Sequence, residues 1–210
     1  MEINLTKSKY LSARSGKTND PAKAIIPLEG VAAMTYLGSE INFNPWARYL
    51  DKFSEMTVTK SERYNKSIWA LSNSSADPTV FAERLWVSTA LPSILYSSEV
   101  LLIRAADLVK CEQAQDSLAK FILQVPDTTC NASTQLAAGL LPMRSRYYGR
   151  VLNYRLKLMD AEDGTPLRAA WNNAVKTNSH YYRESTRIIT ETGWDGRSTS
   201  IDRCVRDFGV

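Results

Sequence analysis

Met143-Arg144-Ser145-Arg146-Tyr147-Tyr148-Gly149-Arg150-Val151-Leu152-Asn153-Tyr154-Arg155-Leu156-Lys157-Leu158-Met159 reads as one amphipathic helix. Tyr147, Val151, Tyr154 and Leu158 recur at steps of three and four, which places side chains on one face of an α-helix. Arg146, Arg150, Asn153 and Lys157 recur at the same spacing on another face. The stretch holds five basic residues, Arg144, Arg146, Arg150, Arg155 and Lys157, and no acid. Pro142 opens the helix, which ends near Asp160. A stripe of one sign can lie along a phosphate backbone, each cation adding a salt-sensitive increment of affinity. The plainer reading pairs it with acids on a neighbouring helix, such as Asp107, Glu112 or Asp116.

The same spacing extends to both sides. Asn44-Pro45 is a helix start, followed by Trp46, Leu50, Phe53, Thr57, Tyr64, Ile68 and Leu71 as an apolar stripe. Ser72 to Ala76 breaks that helix, and Asp77-Pro78 starts the next, with Phe81, Leu85, Ser88, Pro92, Leu95 and Leu102 in step. Pro92 predicts a kink or a split there. Further helices are expected near Leu108 to Leu123 and Ala132 to Ala138, the latter capped by Gly139. Two weaker ones cover about Pro166 to Thr177 and Tyr181 to Thr192, before a Gly193-Trp194-Asp195-Gly196 turn. Trp46, Trp69, Trp86 and Trp171 fall at helix positions and are read as core.

The first 43 residues differ. Glu2-Ile3-Asn4-Leu5 alternates polar and apolar, as a half-buried strand does. Ser12 to Lys23 is a polar loop. Ala24 to Leu28 and Met34 to Leu37 are short apolar runs around Glu29-Gly30, which predicts a β-hairpin with Pro27 on an edge. The expected fold is mainly α with a small N-terminal β element, an α+β chain. It divides into 1–43, a helical bundle over 44–160, and a helical extension over 161–210.

Composition excludes several classes. The 210 residues carry 26 Lys plus Arg against 22 Asp plus Glu, a net +4 too mild to identify a nucleic-acid binder. Hydrophobic residues at 44% and charged residues at 23% argue for a globular chain instead of a disordered or fibrous one. Cys111, Cys130 and Cys204 show no CxxC spacing, so neither a disulfide framework nor a zinc site is expected. His180 is the single histidine, and a hydrolase triad built on it has no supporting spacing; a half-exposed helix face is expected instead. Asp160, Glu162, Asp163 and Gly164 lack the ligand spacing of a calcium loop and read as surface. No GxGxxG or GxxxxGK[ST] loop occurs. The longest strongly apolar run, Val100-Leu101-Leu102-Ile103, falls far short of the roughly 20 residues a membrane helix needs. Met1 to Tyr10 has no apolar stretch of a signal peptide. The expectation is an intracellular protein, nuclear or cytoplasmic, neither secreted nor membrane-bound.

Asn4-Leu5-Thr6-Lys7-Ser8-Lys9, followed by Tyr36-Leu37-Gly38-Ser39-Glu40-Ile41, resembles the C-terminal palm of the reverse transcriptases of non-LTR (LINE-type) retrotransposons. Leu85-Trp86, Leu91-Pro92 and Leu95-Tyr96 resemble that family's "LW…LP..LY" helix. Glu112-Gln113-Ala114-Gln115 through Ile122 to Pro126, then Gly139-Leu140-Leu141-Pro142, follow its thumb region in order. The resemblance covers roughly Met1 to Met159. It implies that Tyr36, Leu37 and Gly38 match the primer grip, where a glycine lets backbone approach a sugar-phosphate closely. Lys7 matches a lysine near the incoming triphosphate, able to protonate the leaving pyrophosphate. Arg146, Arg150 and Lys157 then face the primer–template duplex from the thumb. The family's aspartates, one in a "[FY].DD" hairpin, hold two magnesium ions that activate the primer hydroxyl. No Asp-Asp pair occurs in this sequence, and Met1 begins just past where one would stand.

The resemblance, with this departure, implies a truncated reverse transcriptase, an RNA-directed DNA polymerase fragment of retrotransposon origin that is not an enzyme by itself. No catalytic residues, metal ligands or cofactor are expected in it, magnesium belonging only to the full-length family. Its expected partner is an RNA–DNA or DNA duplex, bound weakly and without sequence preference. The alternative is a helical protein–protein interaction module, binding a partner or a second copy through an exposed palm-side surface that includes Ile25, Ile26 and Leu28.

Overall fold

The computed structural model describes residues 9–11, 29–31, 33–36, 39–42, 49–73 and 77–194. The chain is mainly α. It divides into two compact units, 1–53 and 54–210. That boundary lies ten residues beyond the expected 43/44. The helices after residue 160 belong to the second unit.

In the first unit, β1 (Lys9–Leu11) pairs in parallel with β2 (Glu29–Val31), and β3 (Ala33–Tyr36) pairs antiparallel with β4 (Ser39–Asn42). Glu29 and Gly30, expected as a turn, are therefore strand residues. The antiparallel pair sits one segment later than the expected hairpin, closing with Tyr36 opposite Ser39.

The helices are α1 (Tyr49–Ser72), α2 (Pro78–Leu85), α3 (Leu91–Ile94), α4 (Ala105–Leu123), α5 (Asn131–Ala137), α6 (Met143–Met159), α7 (Pro166–Lys176) and α8 (His180–Thr192). Local chemistry sets their ends. The Asp77 carboxylate accepts from the Val80 amide at 3.2 Å, and Pro78 occupies the first helical position, where its missing N–H costs nothing. Thr165 and Ser179 cap α7 and α8 in the same way. Beyond α5, Gly139 takes φ +68°, a left-handed conformation that suits glycine, and the Leu140 amide reaches back to the Gln135 carbonyl.

Pro92 splits its helix as expected, through a π turn. Residues Trp86–Ala90 widen to i→i+5 bonding, and the Leu91 amide bonds the Trp86 carbonyl. Pro92 has no N–H to donate back, so the ordinary α ladder cannot run through it. The widening also rotates the buried face. Ala82, Trp86, Ala90, Leu91, Ile94 and Leu95 are buried, whereas Phe81, expected in the stripe, is exposed.

α4 is the spine of the second unit, packed against α2, α5 and α6. Leu108, Cys111, Gln115, Leu118, Ala119 and Ile122 are all buried on it. Burial pushes the Cys111 thiol up to about 12, so it is an inert packing group. α6 forms the second axis and carries α7 and α8 on its far side. α1 buries Phe53, Ser54, Thr57, Val58, Ser61, Ile68 and Ser72, and Leu71 is left exposed. Serine at three of these positions keeps that face narrow, which hydropathy spacing does not register. Of the tryptophans read as core, Trp86 and Trp171 are buried. Trp69 is not: it is 45% exposed, stacked on Phe121 with ring centroids 5.0 Å apart, and Trp46 lies outside the described residues.

Candidate nucleic-acid interface

α6 forms where the sequence places it, and its apolar stripe faces the core. Tyr147 and Val151 are almost fully enclosed. The Tyr147 hydroxyl accepts from the Ile103 amide at 3.1 Å, which fixes the loop entering α4 against α6. Burial raises the Tyr147 pKa, so the phenol stays neutral.

The five cations of α6 have unequal fates. Arg144 faces Glu112 at 3.7 Å, the one pairing among those the plainer reading offered. Arg155 lies over the rings of Trp171 (5.0 Å) and Tyr182 (5.4 Å) and donates to the Ser185 and Thr186 hydroxyls. It joins α6 to α7 and α8 and is not available to a ligand. Asp107 instead takes Arg104 at 2.5 Å and Lys110 at 3.2 Å, and Asp116 takes the Gln135 amide. Neither acid reaches α6.

The three cations expected at phosphate are Arg146, Arg150 and Lys157. Steps of four and seven bring them onto one face, spanning about 16 Å of helix. Lys157 is exposed and forms no ion pair among the described residues. Arg150 donates to the Leu95 carbonyl at 3.2 Å and lies 3.8 Å from Glu99. That carbonyl ends α3, where a cation suits the orphan acceptors of a helix C-terminus. Arg146 is half-buried; its Nε is shut from water with no hydrogen-bond partner, and it has no ion pair among the described residues. Burial first, and then the Arg150 charge, pull its pKa below the ordinary arginine value.

Arg146, Arg150 and Asn153 line one wall of a cleft of about 280 Å³; Val87, Leu91 and Leu95, from the π turn and α3, line the other. The basic face is legible in the sequence; this wall is not, because it depends on the π turn. Tyr36 stands at the end of β3, and Lys7, Leu37 and Gly38 lie outside the described residues. Ile25, Ile26 and Leu28 lie outside them too. His180 is the exposed first residue of α8. Among the described residues no three His, Cys, Asp or Glu side chains gather in one place. No described helix is long and apolar enough to cross a membrane.

No protein-family model, curated protein or solved structure matches this chain.

Proposed function

We propose that this chain is the primer-grip and thumb region of a LINE-type reverse transcriptase, and that its second unit grips a nucleic-acid duplex without reading sequence. The observation that carries the reading is the face of α6: an exposed Lys157 and a half-buried Arg146 with no ion pair among the described residues, and an Arg150 held in place by Leu95 and Glu99. A half-buried cation without a counter-charge costs stability unless a ligand anion completes it. Phosphates supply that anion, and backbone contacts of this kind carry no base specificity. In this reading the β segments before Phe53 are a palm remnant, with Tyr36, Leu37 and Gly38 as the primer-grip-like turn and Lys7 close to phosphate. The 210 residues contain no Asp-Asp pair, so the chain by itself binds without polymerising.

A second reading, a protein–protein interaction module, draws support from the exposed Trp69 stacked on Phe121. Salt separates the two. Binding of a fluorescently labelled RNA–DNA duplex should weaken steeply between 50 and 200 mM salt, on the order of tenfold or more for several phosphate contacts. No binding at low salt by the folded chain would reject the duplex grip and favour the interaction module.

A further inference from the structure

The geometry points to the cleft beside α6 as a seat for one unpaired nucleotide, its phosphate on Arg146 and Arg150 and its base against Val87, Leu91 and Leu95. This rests on the nucleic-acid reading above and adds to it a preference for a single-stranded end over a blunt duplex. Three features of the cleft lead there. Its size, about 280 Å³, lies at the low end for ligand sites, so it takes one small group and not a length of strand. Its charge is two guanidiniums against one carboxylate, that of Glu99, among the described residues, a surplus of one, which one phosphodiester neutralises. Its walls differ in kind: guanidiniums fork onto phosphate oxygens, and the aliphatic wall accepts the flat face of a base.

The hydroxyl of Ser145 and the amide of Asn153 also line the cleft. They offer donors and acceptors to a ribose or a base edge, which a hydrocarbon tail would leave unused. The bases of a closed duplex are stacked inward and cannot reach the aliphatic wall, so only an unpaired nucleotide satisfies both walls at once. The π turn places Val87 at the cleft, and wide turns of this type recur at functional sites.

The test uses the full chain with three labelled probes: a blunt RNA–DNA duplex, the same duplex with a short single-stranded overhang, and the overhang strand alone. Fluorescence anisotropy at low salt should show the overhang tightening binding about fivefold over the blunt duplex. Asn153→Asp, an isosteric change at an exposed position that sets a carboxylate beside the phosphate, should reduce that gain to less than about twofold. Arg146→Gln should do the same. Equal affinity for blunt and overhanging duplexes would overturn the cleft assignment and leave the duplex grip standing. Binding of the single strand without the blunt duplex, lost in Asn153→Asp, would support the cleft and reject the duplex grip. A gain that survives both substitutions would place the unpaired nucleotide elsewhere and overturn the proposal. Binding of none of the probes would overturn both.

Discussion

The Trp86 indole donates to the Gln115 side-chain oxygen at 3.1 Å, and the Gln115 amide donates onward to the Leu141 carbonyl at 3.0 Å. Both side chains are completely enclosed, so no water reaches the bond between them. It ties the π turn to the middle of α4 and to the residue just before Pro142, where α6 begins. Both walls of the cleft are thereby held to α4 by one glutamine.

Gln115→Leu leaves the Trp86 N–H unpaired in the interior and takes the side-chain donor from the half-buried Leu141 carbonyl. Each orphaned group costs about 1–3 kcal/mol, so a loss of about 3 kcal/mol is expected by urea unfolding. Adding Trp86→Phe removes one orphan, and the double variant should lose less than the two single losses added together. Strict additivity would show that the relay is not an energetic unit.

Asp107 and Asp116, both buried on α4, should respond to pH in opposite ways. Burial drives the Asp107 pKa up, but Arg104, Ser54 and Lys110 outweigh it and hold the carboxyl below the usual range. Its contribution is present above the unfolded value near 3.9 and is lost as pH falls through the lower folded value. Asp107→Asn should therefore destabilise by about 2 kcal/mol at pH 7, with the gap closing in acid. At Asp116 burial wins over the Gln135 hydrogen bond and raises the pKa. Its protonated form favours folding below the unfolded value, and that gain is lost as pH rises through the folded one. Asp116→Asn should raise the thermal midpoint at pH 7 and leave it unchanged below about pH 4. Midpoints measured across this range check both signs.

Arg155→Lys removes a planar cation from over the Trp171 and Tyr182 rings and loses the two hydrogen bonds that its Nη1 donates to Ser185 and Thr186. A lysine keeps the charge but not the stacking, so α7 and α8 should loosen by about 1–2 kcal/mol. Amide exchange within 166–192 should speed up by about tenfold, with α4 unaffected. Equal acceleration in α4 would mean that the three helices open only with the whole unit.

Most of the helical scaffold is legible in the sequence. Pro and capping residues mark the starts of α2, α6 and α7, and Gly139 marks the stop after α5, because these signals act on the nearest backbone groups. Buried faces are harder to read. The α2–α3 stripe is displaced by the π turn, so Phe81 is exposed where spacing expects burial. On α1 three serines share the packed face with Phe53, Val58 and Ile68, and Leu71 stands outside it. At the site, the order of charges on α6 is plain, but which cation is already occupied is not. Arg155 reads as one more basic residue until α7 and α8 fold over it. Arg150 reads as free until the Leu95 carbonyl is seen beneath it. Pairing across helices depends on tertiary approach, which residue spacing along one helix does not encode.

The central claim is that the Arg146–Lys157 face holds phosphate, and the salt slope of duplex binding tests it most directly. Measured as log K against log salt for a blunt RNA–DNA duplex, the slope should fall in magnitude by about two when Arg146→Gln and Lys157→Gln are combined. An unchanged slope, from a double variant with wild-type unfolding behaviour, would contradict it.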